Sequence, residues 1–157
     1  MGWSGPGDYK PAEMAVMTIT FLALNVMTAF TQMLSAGVLE KFPRLRCAVL
    51  ETGATWISAW LDRMDNKYET MKAITPMKRP ASEYFYRQCV ISADPDESTI
   101  ADSVRHIGSD YFLWASDYPH IDASLNVLQD LKHHIRDLPP ADQSKVLGGT
   151  AVKFYDL

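Results

Sequence analysis

The chain has 157 residues, 47% hydrophobic and 22% charged, with 15 Lys and Arg against 19 Asp and Glu for a net charge of −4. That length accommodates one domain with a real core, and the composition is that of a soluble globular protein. The acidic balance and the lack of a face-sized Lys and Arg cluster argue against a nucleic-acid surface; Lys78-Arg79 and Arg44-Leu45-Arg46 read as short solvated turns.

The first dozen residues, with three Gly and two Pro, read as a loop. They lack the basic start and apolar middle of a signal peptide, so a cytoplasmic location is expected. A long helix is predicted over residues 11–36, with Pro11 suited to its first turn and Gly37 to its stop. It is apolar around much of its circumference, which predicts a helix covered by neighbours. The run 14–34 is the one stretch that invites a membrane reading, but Thr18, Thr20, Asn25, Thr28, Thr31 and Gln32 interrupt it and favour a buried helix of a soluble protein.

Residues 45–50 read as a short buried strand ending at Glu51-Thr52-Gly53. A helix follows with Ile57, Trp60, Leu61, Met64, Tyr68 and Met71 on one stripe. After a loop at 75–80, one helical turn over 82–87 leads into a second strand at 88–92. Asp94-Pro95-Asp96-Glu97 has the form of a helix start, with Asp94 as cap, Pro95 in the first turn and Glu97 at the capping-box position. Ile100, Val104 and Ile107 form its buried stripe, and Gly108 ends it.

The third strand, 111–115, runs into Ser116-Asp117-Tyr118-Pro119-His120. A helix with Leu125, Leu128, Leu131 and Ile135 inward breaks at Pro139-Pro140. A helix from Ala141 to Gly148-Gly149 and a short one over 150–155 complete the chain. Alternation of strands and helices predicts an α/β fold with a parallel sheet in a single domain. Cys47 and Cys89 fall inside strands and read as buried free thiols, with no Cys or His at zinc-ligand spacing beside them.

Reactive groups of parallel α/β folds gather at the carboxyl ends of strands. A carboxylate placed directly after a buried strand is costly unless it is paired, hydrogen-bonded or metal-bound, which singles out Glu51 and Asp117. Each has a structural alternative: either could cap its own turn, and His120 could be an exposed loop residue. Asp94 is assigned to capping. His106, His133 and His134 fall on helices and read as surface residues. The sequence holds no His-x-His pair, Gly-rich phosphate loop or Gly-x-Ser-x-Gly elbow.

Several segments in order resemble the amidohydrolase-2 family: Ser35-Ala36-Gly37-Val38-Leu39-Glu40-Lys41-Phe42-Pro43-Arg44-Leu45, Leu50-Glu51-Thr52-Gly53-Ala54-Thr55-Trp56, Leu61-Asp62-Arg63-Met64-Asp65, Leu113-Trp114-Ala115-Ser116-Asp117-Tyr118-Pro119-His120, and Lys145-Val146-Leu147-Gly148-Gly149-Thr150-Ala151. In the last, Thr150 stands where the family usually has Asn. The resemblance implies a (β/α)8 TIM barrel of which this chain is the C-terminal portion, about strands six to eight. It also implies a divalent metal, zinc in the first place with manganese as the alternative, at the carboxyl ends of the strands.

Asp117 matches the family's eighth-strand Asp, at or beside the metal and its water. Glu51 falls where decarboxylase members carry a catalytic His; a Glu protonates a ring carbon only where its surroundings keep it protonated. Arg63 is similar to an Arg that reaches a substrate carboxylate, though a surface ion pair is its structural alternative. Trp56 and His120 join it as expected substrate contacts.

The resemblance also implies metal ligands on a first and a fifth strand that this chain lacks. One Asp does not retain a catalytic zinc, which takes three protein ligands, so this chain alone is not expected to hold the metal. A three-stranded parallel sheet leaves open edges, which predicts completion by an N-terminal half or by self-association. The expected function is part of a metal-dependent hydrolase or decarboxylase acting on a small carboxylated or cyclic substrate. The alternative is a truncated, non-catalytic paralogue serving as a binding module; a membrane-anchored fragment comes third.

Overall fold

The structure, a computed structural model, describes residues 11–119 and 126–157. Its centre is a three-stranded parallel sheet in the order β1 (Cys47–Val49), β2 (Cys89–Ala93), β3 (Phe112–Trp114). Cys47 registers with Cys89 and Val49 with Ile91; Ile91 registers in turn with Phe112 and Ala93 with Trp114. Side chains alternate across a strand, so these positions share one face. That face meets α3 (Ile57–Met71), α4 (Ala81–Gln88) and α5 (Ile100–Ile107) in a core holding Ile57, Phe85, Ile91, Ile100, Phe112 and Leu131. Val90, Ser92 and Leu113 take the other face and are also buried.

The predicted first helix is present as α1 (Pro11–Ser35). It stops where Gly37 turns left-handed at φ 70, a conformation that costs glycine little, and a Cβ there would meet Pro76 O at 3.3 Å. A single turn, α2 (Val38–Lys41), follows. The expectation that α1 is covered by neighbours is not met. Phe30 and Leu34 reach the core, but they are the only buried residues from Val16 to Ser35, and Val16, Ile19, Leu22 and Leu24 are 47% or more exposed. The described residues cover only its C-terminal end, where the Trp60 indole of α3 also donates to Thr31 Oγ1 at 2.8 Å. By length and composition alone the segment, of mean hydropathy 1.4, passes for a membrane span. The hydroxyls of Thr20, Thr28 and Thr31 donate to the carbonyls of Val16, Leu24 and Met27 one turn back, at 2.6–2.8 Å.

Other elements differ from expectation in ways the contacts explain. The turn foreseen at 82–87 is the two-turn helix α4, anchored where Asp65 accepts hydrogen bonds from the Ser82 amide and hydroxyl. Gln88 closes that helix instead of opening the strand, and its Nε2 donates to Phe42 O at 3.0 Å and Leu45 O at 2.7 Å, fixing the approach to β1. On the helix stripes, Met71 and Leu128 remain 49% and 38% exposed; Leu125 lies outside the described residues. α5 begins at Ile100, not directly after Asp94, and its N-cap Thr99 makes no side-chain cap bond.

After α6 (Val127–Ile135), α7 (Pro140–Ser144) starts on Pro140 itself and widens into a π-type turn at Lys145–Gly149 before α8 (Thr150–Tyr155). This end of the chain is tied to the turn before β3: Thr150 Oγ1 donates to Ser109 O at 2.9 Å, while Lys145 and Lys153 reach Asp110 at 2.5 and 3.3 Å.

The hydrogen bond from the Lys145 ammonium, assisted by Lys153 and opposed by partial burial, holds the Asp110 carboxyl below the usual carboxylate range. A group depressed on folding stabilises above its unfolded pKa, about 3.9 for Asp, and loses that contribution as pH falls through its folded value. The Asp110 side chain is 39% exposed, so solvent screening keeps the effect under about 1 kcal/mol. Asp110→Asn should lower the urea midpoint at neutral pH, and the difference from wild type should vanish well below about pH 3.9.

Candidate functional site

Parallel strands bring their carboxyl ends to one side of the sheet. Glu51 lies two residues beyond β1, Asp94 directly follows β2, and Asp117 lies three residues beyond β3. The first and third of these loops are separated by β2, so Glu51 and Asp117 leave strands roughly 10 Å apart, two strand spacings.

Both carboxylates singled out from the sequence adopt left-handed backbone, Glu51 at φ 63 and Asp117 at φ 53. Such a conformation costs a residue with a Cβ roughly 1–2 kcal/mol, is tolerated better by Asp than by Glu, and clusters at functional sites. Among the described residues one other non-glycine has positive φ, Asp156, where it closes α8 as an ordinary helix terminus. The Glu51 and Asp117 side chains are exposed to solvent, and Ser116 Oγ accepts from the Tyr118 amide at 3.3 Å in the turn that carries Asp117.

The loop after β1 is held by a residue that the sequence reading assigned only to capping. Glu97 accepts from the Ala54 amide at 3.0 and 2.9 Å, from the Thr55 amide at 3.0 Å and from the Thr55 hydroxyl at 2.8 Å. It accepts from the Asp94 amide as well, at 3.1 Å. That last bond is the local half of the expected capping box; the rest of the carboxylate crosses to the amides that open α3, where a negative charge suits exposed N–H groups. Gly53 at φ 64 makes room for it, since a Cβ there would stand 2.6 Å from Glu97 Oε1. One carboxylate thereby staples the Glu51 loop to the Asp94 loop. Beside it, the hydroxyls of Thr52 and Ser58 are buried without a hydrogen-bond partner, which costs about 1–3 kcal/mol apiece.

Of the remaining expected site residues, Trp56 and Arg63 are not brought together. Trp56 Nε1 donates to Gly53 O at 3.0 Å and its ring meets Phe30 edge-on at 6.4 Å, so it braces the loop against the core. Arg63 lies on α3, lining a cavity of about 280 Å³ with Thr31, Trp60, Lys67 and Tyr68, between α1 and α3 and away from the strand ends. His120 lies outside the described residues. Among the described residues no group of three or more His, Cys, Asp and Glu could hold a metal ion. The donor set here does not fit a resident metal by itself; Asp117 could offer it one carboxylate.

The family model for amidohydrolases matches residues 14–157. No curated protein matches the chain significantly. Solved structures do. The 5-carboxyvanillate decarboxylase of Sphingomonas paucimobilis superposes with a TM-score of 0.70 at 24% identity, over 86% of this chain and 41% of that one. An amidohydrolase of Mycobacterium avium subsp. paratuberculosis gives 0.73 at 18% identity, over 84% and 34%. The dihydroxybenzoic acid decarboxylase of Polaromonas sp. JS666, with bound manganese and the inhibitor 2-nitroresorcinol, gives 0.70 at 18%, over 97% and 48%. The chain shares their fold and spans less than half the length of each.

Two outcomes follow from the loop geometry. Glu97→Ala should cost about 1.5–3 kcal/mol, the scale of hydrogen bonds to a charged group, and should speed hydrogen exchange at the Ala54 and Thr55 amides while the β2 amides stay protected. Glu51→Gly should raise unfolding free energy by roughly 0.5–1 kcal/mol, because glycine adopts the left-handed conformation without the Cβ clash; urea unfolding measures it, and a loss of stability would mean the Glu51 side chain makes contacts worth more than the strain.

Proposed function

Since the chain belongs to the amidohydrolase family, we propose that it forms the C-terminal portion of a (β/α)8 barrel, with β1, β2 and β3 as strands six to eight, and acts as part of a metal-dependent hydrolase or decarboxylase. The substrate class is a small carboxylated or cyclic organic molecule. The observation that carries the reading is the placement of Glu51 and Asp117: two carboxylates at the carboxyl ends of parallel strands, both in strained left-handed backbone. A barrel of this kind works at that end of its strands.

In this reading Asp117 contributes one ligand to a divalent metal, zinc or manganese, and Glu51 holds or moves a proton at the substrate. The manganese in the Polaromonas decarboxylase supports a divalent metal of this type. The other ligands come from an N-terminal half of the barrel, in the same polypeptide or a separate chain. Three features favour that completion over the chain acting alone: the bare apolar length of α1, the unpartnered Thr52 hydroxyl beside Glu51, and a span below half that of the similar structures. The competing reading, a non-catalytic binding module, draws support from the lack of a metal-ligand cluster among the described residues.

The test is elemental analysis of divalent metal per chain, on this chain alone and co-produced with any coding segment found to precede it, each with Asp117→Ala alongside. The expected result is negligible metal on the chain alone, near-stoichiometric metal in the completed protein, and its loss in the variant. A completed, folded protein that carries no metal, or carries it regardless of Asp117, sinks the enzymatic reading, as does a preceding segment without the His-x-His or Glu-x-His pair the barrel needs.

A further inference from the structure

Two cysteines lie side by side at the base of the sheet, at the end opposite the carboxylates. Cys47 opens β1, Cys89 opens β2, and they are register partners in the parallel ladder. Neighbouring strands run about 4.8 Å apart, inside the roughly 4.4–6.8 Å Cα separation that a disulfide spans, and register partners project from the same face. Both thiols are free. Cys89 is 3% exposed, whereas Cys47, on the outer strand, is half-buried. A cavity of about 360 Å³ reaches Cys89, with Arg46 and Arg87 among its lining residues.

We propose that Cys47 and Cys89 form an oxidation site for small hydroperoxides, closing to an intrachain disulfide between β1 and β2. The proximity of the two thiols assigns their roles. The Cys89 thiol donates to Tyr84 O at 3.9 Å; its closeness to Cys47 lowers the Cys47 pKa against the opposing effect of burial, while the same contact, with burial, pushes Cys89 up. Access favours Cys47, half-buried where Cys89 is 3% exposed, as the attacking sulfur. Its thiolate attacks the outer oxygen of the hydroperoxide; the O–O bond breaks, Cys47 becomes a sulfenic acid, and the alkoxide leaves and is protonated to an alcohol. The Cys89 sulfur then attacks the Cys47 sulfur, the S–O bond breaks, and hydroxide departs with the Cys89 proton as water. Two thiols lose two electrons in all, and one hydroperoxide is reduced to alcohol and water.

The bond would close the segment β1–α3–α4–β2 into a covalent loop, clamping the base of the sheet while leaving the Glu51 and Asp117 loops untouched. Nothing in this site depends on the enzymatic reading above.

The test is intact-mass and thiol titration of the purified chain before and after hydrogen peroxide or tert-butyl hydroperoxide. The expected result is a loss of about 2 Da, the two thiol hydrogens, with both thiols disappearing together in a monomer and returning with dithiothreitol. Cys89→Ser should leave Cys47 as a dimedone-trappable sulfenic acid, a gain of about 16 Da before trapping, and Cys47→Ser should leave Cys89 reduced. The proposal is overturned if both thiols still titrate in the treated wild type, if Cys47 advances to a sulfinic acid while Cys89 stays free, or if the bond formed links two chains.

Discussion

Every position of β2 is buried, and the rest of the architecture answers to that constraint. A strand with no solvent face needs a ladder on both edges and cover on both sides, which three-residue β1 and β3 and the helices between them supply. The helix-facing positions Cys89, Ile91 and Ala93 sit against a core closed by Phe85, Ile57 and Ile100. Because both pairings are parallel, the strand termini align as a by-product of burial, and acidic residues that follow three separate strands arrive at one side. The placement of Glu51 and Asp117 is inherited from the packing of a strand that supplies neither of them.

The loops at that side are held by a different force. Buried or half-buried amides at the start of α3 require acceptors, and Glu97 meets two at once, those of Ala54 and Thr55, from the neighbouring loop. The fixed backbone it creates keeps Glu51 in a conformation that the residue would not choose by itself. Strain of this sort persists only where the surroundings over-determine it; the Gly53 turn, the Trp56 indole bonded to Gly53 O, and the Glu97 staple provide that surrounding within a few residues.

The order of elements is legible in the sequence because short β-rich apolar runs alternate with helical stripes, and the strand ends can be read from Glu51-Thr52-Gly53 and Ser116-Asp117. Boundaries set by side chains acting at a distance are not. Gln88 looks like the start of a strand, yet it belongs to α4 because its amide serves the carbonyls of Phe42 and Leu45, more than forty residues earlier. Glu97 looks like a capping-box residue, and its local bond to Asp94 fits that pattern, but its larger role lies with Ala54 and Thr55. Trp56 and Arg63 show the same limit from the other side. Their motifs do not show how they pack: the folded chain puts one against Phe30 and the other in the groove between α1 and α3. The cover expected over α1 was inferred from its composition, which states what a helix needs and not whether its own chain provides it.

That helix also decides how its surface can be recognised. From Met14 to Ser35 no side chain is ionisable, and three of its hydroxyls are already committed to carbonyls one turn back. A contact made there has the size and spacing of side chains to read, with uncharged polar groups such as Asn25 and Gln32 among them. Electrostatic steering, the usual means of finding a partner quickly and rejecting a wrong one, has nothing to act on. A contact through α1 would therefore draw no steering from charge on the helix itself and would be selected by fit.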